Sequence, residues 1–431
     1  MTILRTTSEM PPEGGTPNML LTPYRVLDLT GPLGFLTGKI FGDLGADVIK
    51  IEPPGGDATR RQPPVLGNGN GQCQSLYWLA YNVNKRGITL NLKCGRGREL
   101  FRQLAANADF VIDTPQRGIL GQVDLGYEEL NRQNPTLIFV SISPFGQEGP
   151  YKDLQGSDLE IMALSGAMSL AGEEAGEPMR VSVPQAPMWV SAEAAMGALT
   201  ALAYRSMTGR GQHVDVSAQV AVMSALAHAP AFWDLNRVNP GRAGVFVTGR
   251  SVLGAKMRVM WPCKDGWINF IIYGGAAGRH TNQQLVTWMD EKGLAPHWLK
   301  EMDWHTFAVT TITQHEVDRL EDAICHFFAA VTKNEFLEGA IKRQMLGYPV
   351  ATVEDISRNE QLKARDFWQN VVDPESGKTL KYPGGFAVIN GARLPIKRGA
   401  PKVGEHNVEV YAGELGLSSS EVEELRSMGC I

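Results

Sequence analysis

Residues 26–60 read VLDLTGPLGFLTGKIFGDLGADVIKIEPPGGDATR, two short aliphatic runs on either side of a glycine-rich amphipathic segment. With its flanks, this predicts a buried strand over Tyr24–Thr30, a helix over PLGFLTGKIFGDLG and a second strand over Ala46–Glu52. The pattern then recurs. GITLNL (Gly87–Leu92) reads as a third strand, followed by the helix RGRELFRQLAANA and the strand DFVID (Asp109–Asp113). After a helix over YEELNRQN comes the strand TLIFVSIS (Thr136–Ser143). Short β-branched runs alternating with amphipathic helices predict parallel strands joined by helical crossovers, hence a doubly wound α/β sheet.

Residues 1–22 are rich in Pro, Gly, Ser and Thr and read as a flexible extension. Residues 23–225 then form the first part of a large domain. Within it AEAAMGALTALAYR, Ala192–Arg205, is a small-residue helix suited to close packing, and HVDVSAQ reads as another strand or the lead into a helix. The character changes over 226–340, where Trp233, Trp261, Trp267, Trp288, Trp298 and Trp304 concentrate. MRVMWPC-KDG-WINFIIY reads there as a hairpin with Asp265 and Gly266 in its turn. These residues are assigned to a smaller α/β domain, with most of the indoles in its core. Residues 341–431 return to the large domain, with a strand at FAVIN and a closing helix SSSEVEELRSMG capped by Ser419 or Ser420.

Composition narrows the function classes. At 43% hydrophobic and 20% charged over 431 residues, the chain is too apolar to be disordered. A formal net charge of -5 is not a nucleic-acid-binding footprint. No apolar run approaches the roughly 18–20 residues of a membrane helix, and MTILRTTSEMPPEGGTPN lacks a secretory core, so a cytoplasmic location is expected. Cys73, Cys94, Cys263, Cys325 and Cys430 are odd in number and form no C-x-x-C, which predicts free, mostly buried thiols. Cys325, His326 and His315 lack zinc-like spacing, and no metal site is assigned.

Two stretches carry possible ligand chemistry. Gly31, Gly34 and Gly38 follow the first strand, with an acid at the end of the second, but G-x-x-G-x-x-x-G is not the dinucleotide spacing. The plainer reading is structural glycines in a tight βα unit. From Tyr81 to Arg102, Lys85, Arg86, Lys93, Arg96, Arg98 and Arg102 face a single acid, Glu99. Such cations beside a strand-to-helix turn can hold phosphates, or can simply form a solvated helix face. Hydrolase, Walker and kinase motifs are absent from the sequence.

Longer strings are more specific. Besides residues 26–60 they are NVNKRGITLNLK (82–93), VSISPFGQEGPY (140–151), SDLEIMALSGAM, RSMTGRGQHVDVS (205–217), WPCKDGWINF, EDISRNEQLKARDFW (354–368) and PKVGEH. In this order, from about residue 24 onward, the chain resembles the family III CoA-transferases, the carnitine and formyl-CoA transferase group that includes acyl-CoA racemases. The resemblance implies a Rossmann-like large domain made from both ends of the chain, with a smaller α/β domain inserted. It also implies an interlocked dimer with active sites near the subunit interface. The family's catalyst is an aspartate whose carboxylate attacks an acyl-CoA thioester to give a mixed anhydride. Coenzyme A or acyl-CoA is then a substrate, with no permanently bound cofactor. The positions expected to contact it are Gly31, Pro32 and Leu33 around the pantetheine, and Leu90 and Lys93 beside the adenine and phosphates.

The departures from the family are chemical. Ten residues before Gly197, where the family carries its nucleophile, stands Pro187, which has no nucleophilic group. The racemase histidine corresponds to Ser157, so that acid/base pair is missing too. Asp113-Thr114-Pro115-Gln116-Arg117-Gly118 replaces the usual Glu-Asn-Phe-Arg-Pro-Gly, and a nucleotide-side arginine corresponds to Gln122. Three readings follow. The chain is the non-catalytic subunit of a heteromeric CoA-transferase whose aspartate-bearing paralogous subunit supplies the nucleophile, with succinyl-CoA as donor and an aromatic dicarboxylic acid, benzylsuccinate, as acceptor. Alternatively it is self-sufficient through a relocated carboxylate, Glu193 or Asp158. Or it binds acyl-CoA as a regulatory protein without turnover. For Glu193 the plainer role is a helix-surface or interface charge, and for Asp158 a structural acid satisfied by backbone donors at a helix start.

Overall fold

The computed structural model describes residues 20–67, 73–114, 119–373 and 377–431. The chain divides into two compact units. The first takes in the chain up to Ala167, Val181–His228 and Gln361–Ile431; the second comprises Met168–Arg180 and Ala229–Glu360. The second unit therefore runs to Glu360, beyond the expected boundary at 340, and recruits a short earlier segment.

The first unit is built on a six-stranded sheet of β1 (Arg25–Asp28), β2 (Asp47–Glu52), β3 (Lys85–Thr89), β4 (Phe110–Asp113), β5 (Ile138–Ser143) and β6 (His213–Ser217). All neighbours pair in parallel, in the order β3-β2-β1-β4-β5-β6. This is the order of doubly wound nucleotide-binding sheets, and it reverses between β1 and β4. The third strand sits earlier than the predicted Gly87–Leu92. Leu90 still donates to the Glu52 carbonyl, but Asn91 already pairs with the Cys430 carbonyl, outside the ladder.

Side chains alternate between the two faces, as a strand period of two requires. Val26, Val48, Phe110, Ile112 and Val140 share one core with the small-residue helix, and Leu27, Ile49, Val111 and Phe139 share the opposite one. α1 (Phe35–Asp43) and α2 (Gly95–Ala106) cover opposite faces. α1 starts at Phe35 rather than Pro32 because Gly31–Gly34 form a turn, with Gly34 and Phe35 both donating to the Gly31 carbonyl. The small-residue helix is also longer than expected, Ala186–Thr208; it follows α3 (Asp158–Leu164) and is labelled α4. Ala194, Ala198 and Ala201 are buried along it, and a Cβ on Gly197 would come within 2.9 Å of Val214.

The returning segment closes the exposed edge of β3. His406 donates its backbone N–H to the Gly87 carbonyl, its Nδ1 accepts from the Gly87 N–H, and Asn407 Oδ1 accepts from the Thr89 N–H. An open sheet edge is thereby capped by side chains. FAVIN contributes only Val388–Ile389, paired in a small hairpin with Ala392–Arg393. The closing helix Ser419–Ser427 is capped by Ser418, whose reciprocal partner is Glu421, and not by Ser419 or Ser420.

In the second unit Met260–Cys263 and Gly266–Asn269 form the expected hairpin, but Cys263 pairs with Gly266. The turn is therefore Lys264–Asp265, one residue earlier than predicted. Trp261, Trp288 and Trp304 pack in one core with Phe327, Phe328 and Phe336, while Trp267 is exposed.

The centre of the large unit is a buried charge cluster. Asp28, at the end of β1, is fully buried with Lys50 of β2 and Lys85 of β3. Lys85 Nζ donates to Asp28 Oδ2 (2.8 Å), the Phe35 carbonyl (2.9 Å) and Asn82 Oδ1 (3.0 Å). Lys50 Nζ donates to the Asp28 and Thr30 carbonyls and to Asp28 Oδ1. Burial alone would raise the Asp28 carboxyl, but Lys50 and Lys85 outweigh it and hold the group at about 2.

Replacing Asp28 by Asn leaves two buried ammonium groups without a counter-charge. The variant should lose about 3–5 kcal/mol of unfolding free energy in urea. Because the folded carboxyl lies below its ordinary value of 3.8, its contribution is complete above that pH and is lost as pH falls toward about 2. Urea midpoints of the wild type should therefore fall more steeply than those of the variant between about pH 5 and 2. Parallel curves would assign no such role to Asp28.

Candidate active site

A cleft of about 500 Å³ opens at the carboxyl ends of the central strands, where doubly wound sheets bind their ligands. It is lined by Leu29 after β1, Ile51–Pro54 at the end of β2, Leu90–Lys93 after β3 and Asp113 of β4, with Leu120 and Gly429 completing it. Leu90 and Lys93, expected at the nucleotide, thus come together here. Gly31, Pro32 and Leu33 do not line this cleft. Their loop adjoins it through Thr114, whose Oγ1 accepts from the Gly31 N–H at 2.8 Å.

The same loop reaches a second locus at the start of α4. The Pro32 carbonyl accepts from the Tyr77 hydroxyl (3.1 Å), and the Leu33 carbonyl from Ser191 Oγ (3.1 Å). Ser191 lies one helical turn beyond Pro187, which is buried at the second position of α4. Proline fits there because its missing N–H falls among the helix's unpaired donors. The neighbouring donors are satisfied from outside the helix. Asp158 Oδ1 accepts from the backbone N–H groups of Gln185 (2.7 Å) and Ala186 (2.8 Å). Asp158 is thus held by backbone donors at the start of α4. Ser157, at the racemase histidine position, caps α3 in a reciprocal box with Glu160.

Tyr77 was not singled out from the sequence, nor were Thr114 and Ser191 in these roles; their distances along the chain, up to 158 residues from their loop partners, leave no spacing signal. Burial, then Tyr81 and Asp158, raises the Tyr77 phenol above the ordinary tyrosine range and keeps it a neutral donor.

Glu193 is half-buried on α4, six residues beyond Pro187. On an α-helix that is roughly 9 Å along the axis and about 120° around it from the position of the missing carboxylate. The glycines have packing duties. A Cβ on Gly34 would lie 2.7 Å from Thr30 Cγ2, and one on Gly38 would lie 2.2 Å from Asp28 Oδ2. The acid closing β2, Glu52, is engaged by Arg60 and the Asp57 N–H. The basic stretch is also divided. Lys85 and Arg86 are structural, Arg86 bridging Asp47, Glu409 and Glu414, whereas Lys93 lines the cleft. Pro115–Gly118 lie outside the described residues, as does the side chain of Gln122.

The expectation of free, mostly buried thiols needs correction. Cys94 and Cys430 are disulfide-bonded across a separation of 336 residues, and Cys325 is exposed. An odd cysteine count does not forbid a long-range pair, which only the returning chain brings together. Among the described residues no group of His, Cys, Asp and Glu is arranged to hold a metal, and no helix is long and apolar enough to cross a membrane.

Asp158→Ala would leave the N–H groups of Gln185, the N-cap of α4, and of Ala186 without their acceptor and should cost about 1–2 kcal/mol in thermal or urea unfolding. Asp158→Asn retains an amide oxygen and should lose less. If both variants unfold like the wild type, the cap contributes nothing.

Comparison with known proteins places this geometry. Residues 21–407 match the family described as CoA-transferase family III. The Succinyl-CoA:(R)-benzylsuccinate CoA-transferase subunit BbsE of Thauera aromatica is 35% identical over 416 residues, covering 95% of this chain and 97% of the relative. Formyl-CoA:oxalate CoA-transferase of Streptomyces avermitilis is 30% identical over 424 residues, covering 95% and 99%. The crystal structure of a CaiB/BaiF family protein from Brucella suis superposes with a TM-score of 0.76 at 28% identity, covering 91% of this chain and 98% of that one. The Rossmann-like sheet is therefore that of CoA-transferase family III, and this chain is a member of that family.

Proposed function

We propose that this chain is the non-catalytic subunit of a heteromeric CoA-transferase, its partner being an aspartate-bearing paralogue. The observation that carries the reading is Pro187, a side chain without a nucleophile, buried in the first turn of α4 beside the Gly31–Leu33 loop. Succinyl-CoA is the proposed donor and benzylsuccinate, an aromatic dicarboxylic acid, the proposed acceptor. The naming of a 35% identical relative as a subunit of a benzylsuccinate enzyme supports both assignments. On this reading the partner's aspartate attacks the thioester carbon, CoA leaves as thiolate, and a mixed anhydride holds the acyl group. CoA then passes to the acceptor through further covalent intermediates on the same carboxylate. This chain contributes architecture within an interlocked, cytoplasmic assembly.

The cleft with Leu90 and Lys93 is proposed to receive the nucleotide end of acyl-CoA, and the Gly31–Leu33 loop to lie along the pantetheine. The loop is held from three sides by Thr114, Tyr77 and Ser191, so little ordering remains when a ligand arrives. A self-sufficient enzyme is disfavoured. Asp158 spends one oxygen on α4, and Glu193 is displaced along and around the helix.

Intact mass after incubation with succinyl-CoA tests the assignment. The chain alone should acquire no hydroxylamine-sensitive adduct, and a co-purified partner should. An adduct mapped to Glu193 or Asp158 would overturn the reading. In the reconstituted complex Glu193→Gln should leave kcat unchanged. Lys93→Ala should weaken CoA binding by about tenfold, an effect that shrinks as salt is added. Unchanged affinity in Lys93→Ala would remove the nucleotide from this cleft.

A further inference from the structure

The rim of the cleft is made by two segments from distant parts of the chain. Asn91–Lys93 leave β3 toward α2, and Gly429 meets them from the returning segment. Asn91 clasps that segment twice: its N–H donates to the Cys430 carbonyl (2.8 Å) and its Nδ2 to the Gly429 carbonyl (3.1 Å). Immediately beyond these contacts lies the Cys94–Cys430 disulfide. Cys94 is also the N-cap of α2, its Sγ accepting from the Gly97 N–H at 3.2 Å. One covalent bond therefore connects the floor of the helix, the β3 exit and the Gly429 rim.

We propose that this disulfide is a redox-controlled clamp on the nucleotide cleft. Oxidised, it holds Met428–Ile431 against Asn91–Lys93 and keeps the rim in place. Reduced, that segment is retained by its hydrogen bonds and burial alone, opens more often, and the cleft binds acyl-CoA more weakly. The inference rests on the reading of this cleft as the CoA site. A disulfide in a thiol-rich compartment is more often a sensor than a staple, which suits the cytoplasmic assignment.

The switching chemistry needs a thiol reductant. Its thiolate attacks Cys94 Sγ, the half-buried sulfur; the S–S bond breaks, and Cys430, itself buried, leaves as a thiolate and takes up a proton. A second reductant thiolate then resolves the mixed disulfide on Cys94. Two electrons and two protons reach the protein, and the reductant departs as its disulfide. Linkage makes the effect reciprocal: ligand in the cleft must favour the oxidised form by the same factor.

Desulfo-CoA, which has no thiol to exchange, is the probe. Calorimetry on the purified full chain before and after dithiothreitol should show Kd rising at least about fivefold on reduction. Cys430→Ser and Cys94→Ser should bind like the reduced wild type and not respond to dithiothreitol. Should either variant fold poorly, the wild type decides alone: desulfo-CoA should shift its disulfide equilibrium toward the oxidised form by the same factor. Equal affinity in the two redox states overturns the clamp and leaves the cleft assignment standing. No binding in either state overturns both. Alkylation of both cysteines in native, unreduced protein also overturns the clamp.

Discussion

The large unit depends on one buried carboxylate. Asp28 meets Lys50 and Lys85 where water is excluded, so neither lysine can relax into solvent, and their positions fix those of β2 and β3 relative to β1. The second positive charge is distributed over the carbonyl oxygens of Asp28, Thr30 and Phe35 and over Asn82. Those carbonyls bracket the loop that runs from β1 into α1. Gly38 belongs to the same constraint, since a side chain there would displace the Asp28 carboxylate. The cluster thus sets strand positions and the path of the loop proposed for pantetheine.

From that loop the geometry passes to the start of α4. A helix N-terminus offers unpaired N–H groups and a positive dipole end, an environment that favours a carboxylate. Asp158 already answers part of that demand from a different element. Pro187, which the resemblance sets at the family's aspartate position, falls in the same turn. Proline is tolerated in a first helical turn, so on the proposed reading the nucleophile is lost at little conformational cost. A retained fold and a missing nucleophile are therefore physically compatible. The proposed second subunit would supply the carboxylate.

Much of the architecture was legible in the residues. The β-branched runs at Tyr24–Thr30, Ala46–Glu52 and Asp109–Asp113 announced parallel strands, because strands buried on both faces are apolar throughout. Element ends were less legible. Leu90–Leu92 look like strand and Leu90 still bonds to Glu52, yet tertiary pairing of Asn91 with Cys430 takes the chain out of the ladder from there. The hairpin turn shifted by one residue because Gly266 adopts a conformation that lets it pair across from Cys263. Ser418 caps the last helix because Glu421 sits where the reciprocal bond can close.

For the site, the ordered motifs determined the family, and residue identity at Pro187 carries the proposal that the nucleophile is missing. A side chain that lacks a reactive group lacks it in any fold. Tertiary structure alone decided which groups meet: Asp158 with α4, Tyr77 and Ser191 with the Pro32–Leu33 carbonyls, and Cys94 with Cys430. These contacts join residues up to 336 positions apart, and local propensity carries no information about which distant hydrogen-bonding groups or sulfurs a parallel sheet will bring together.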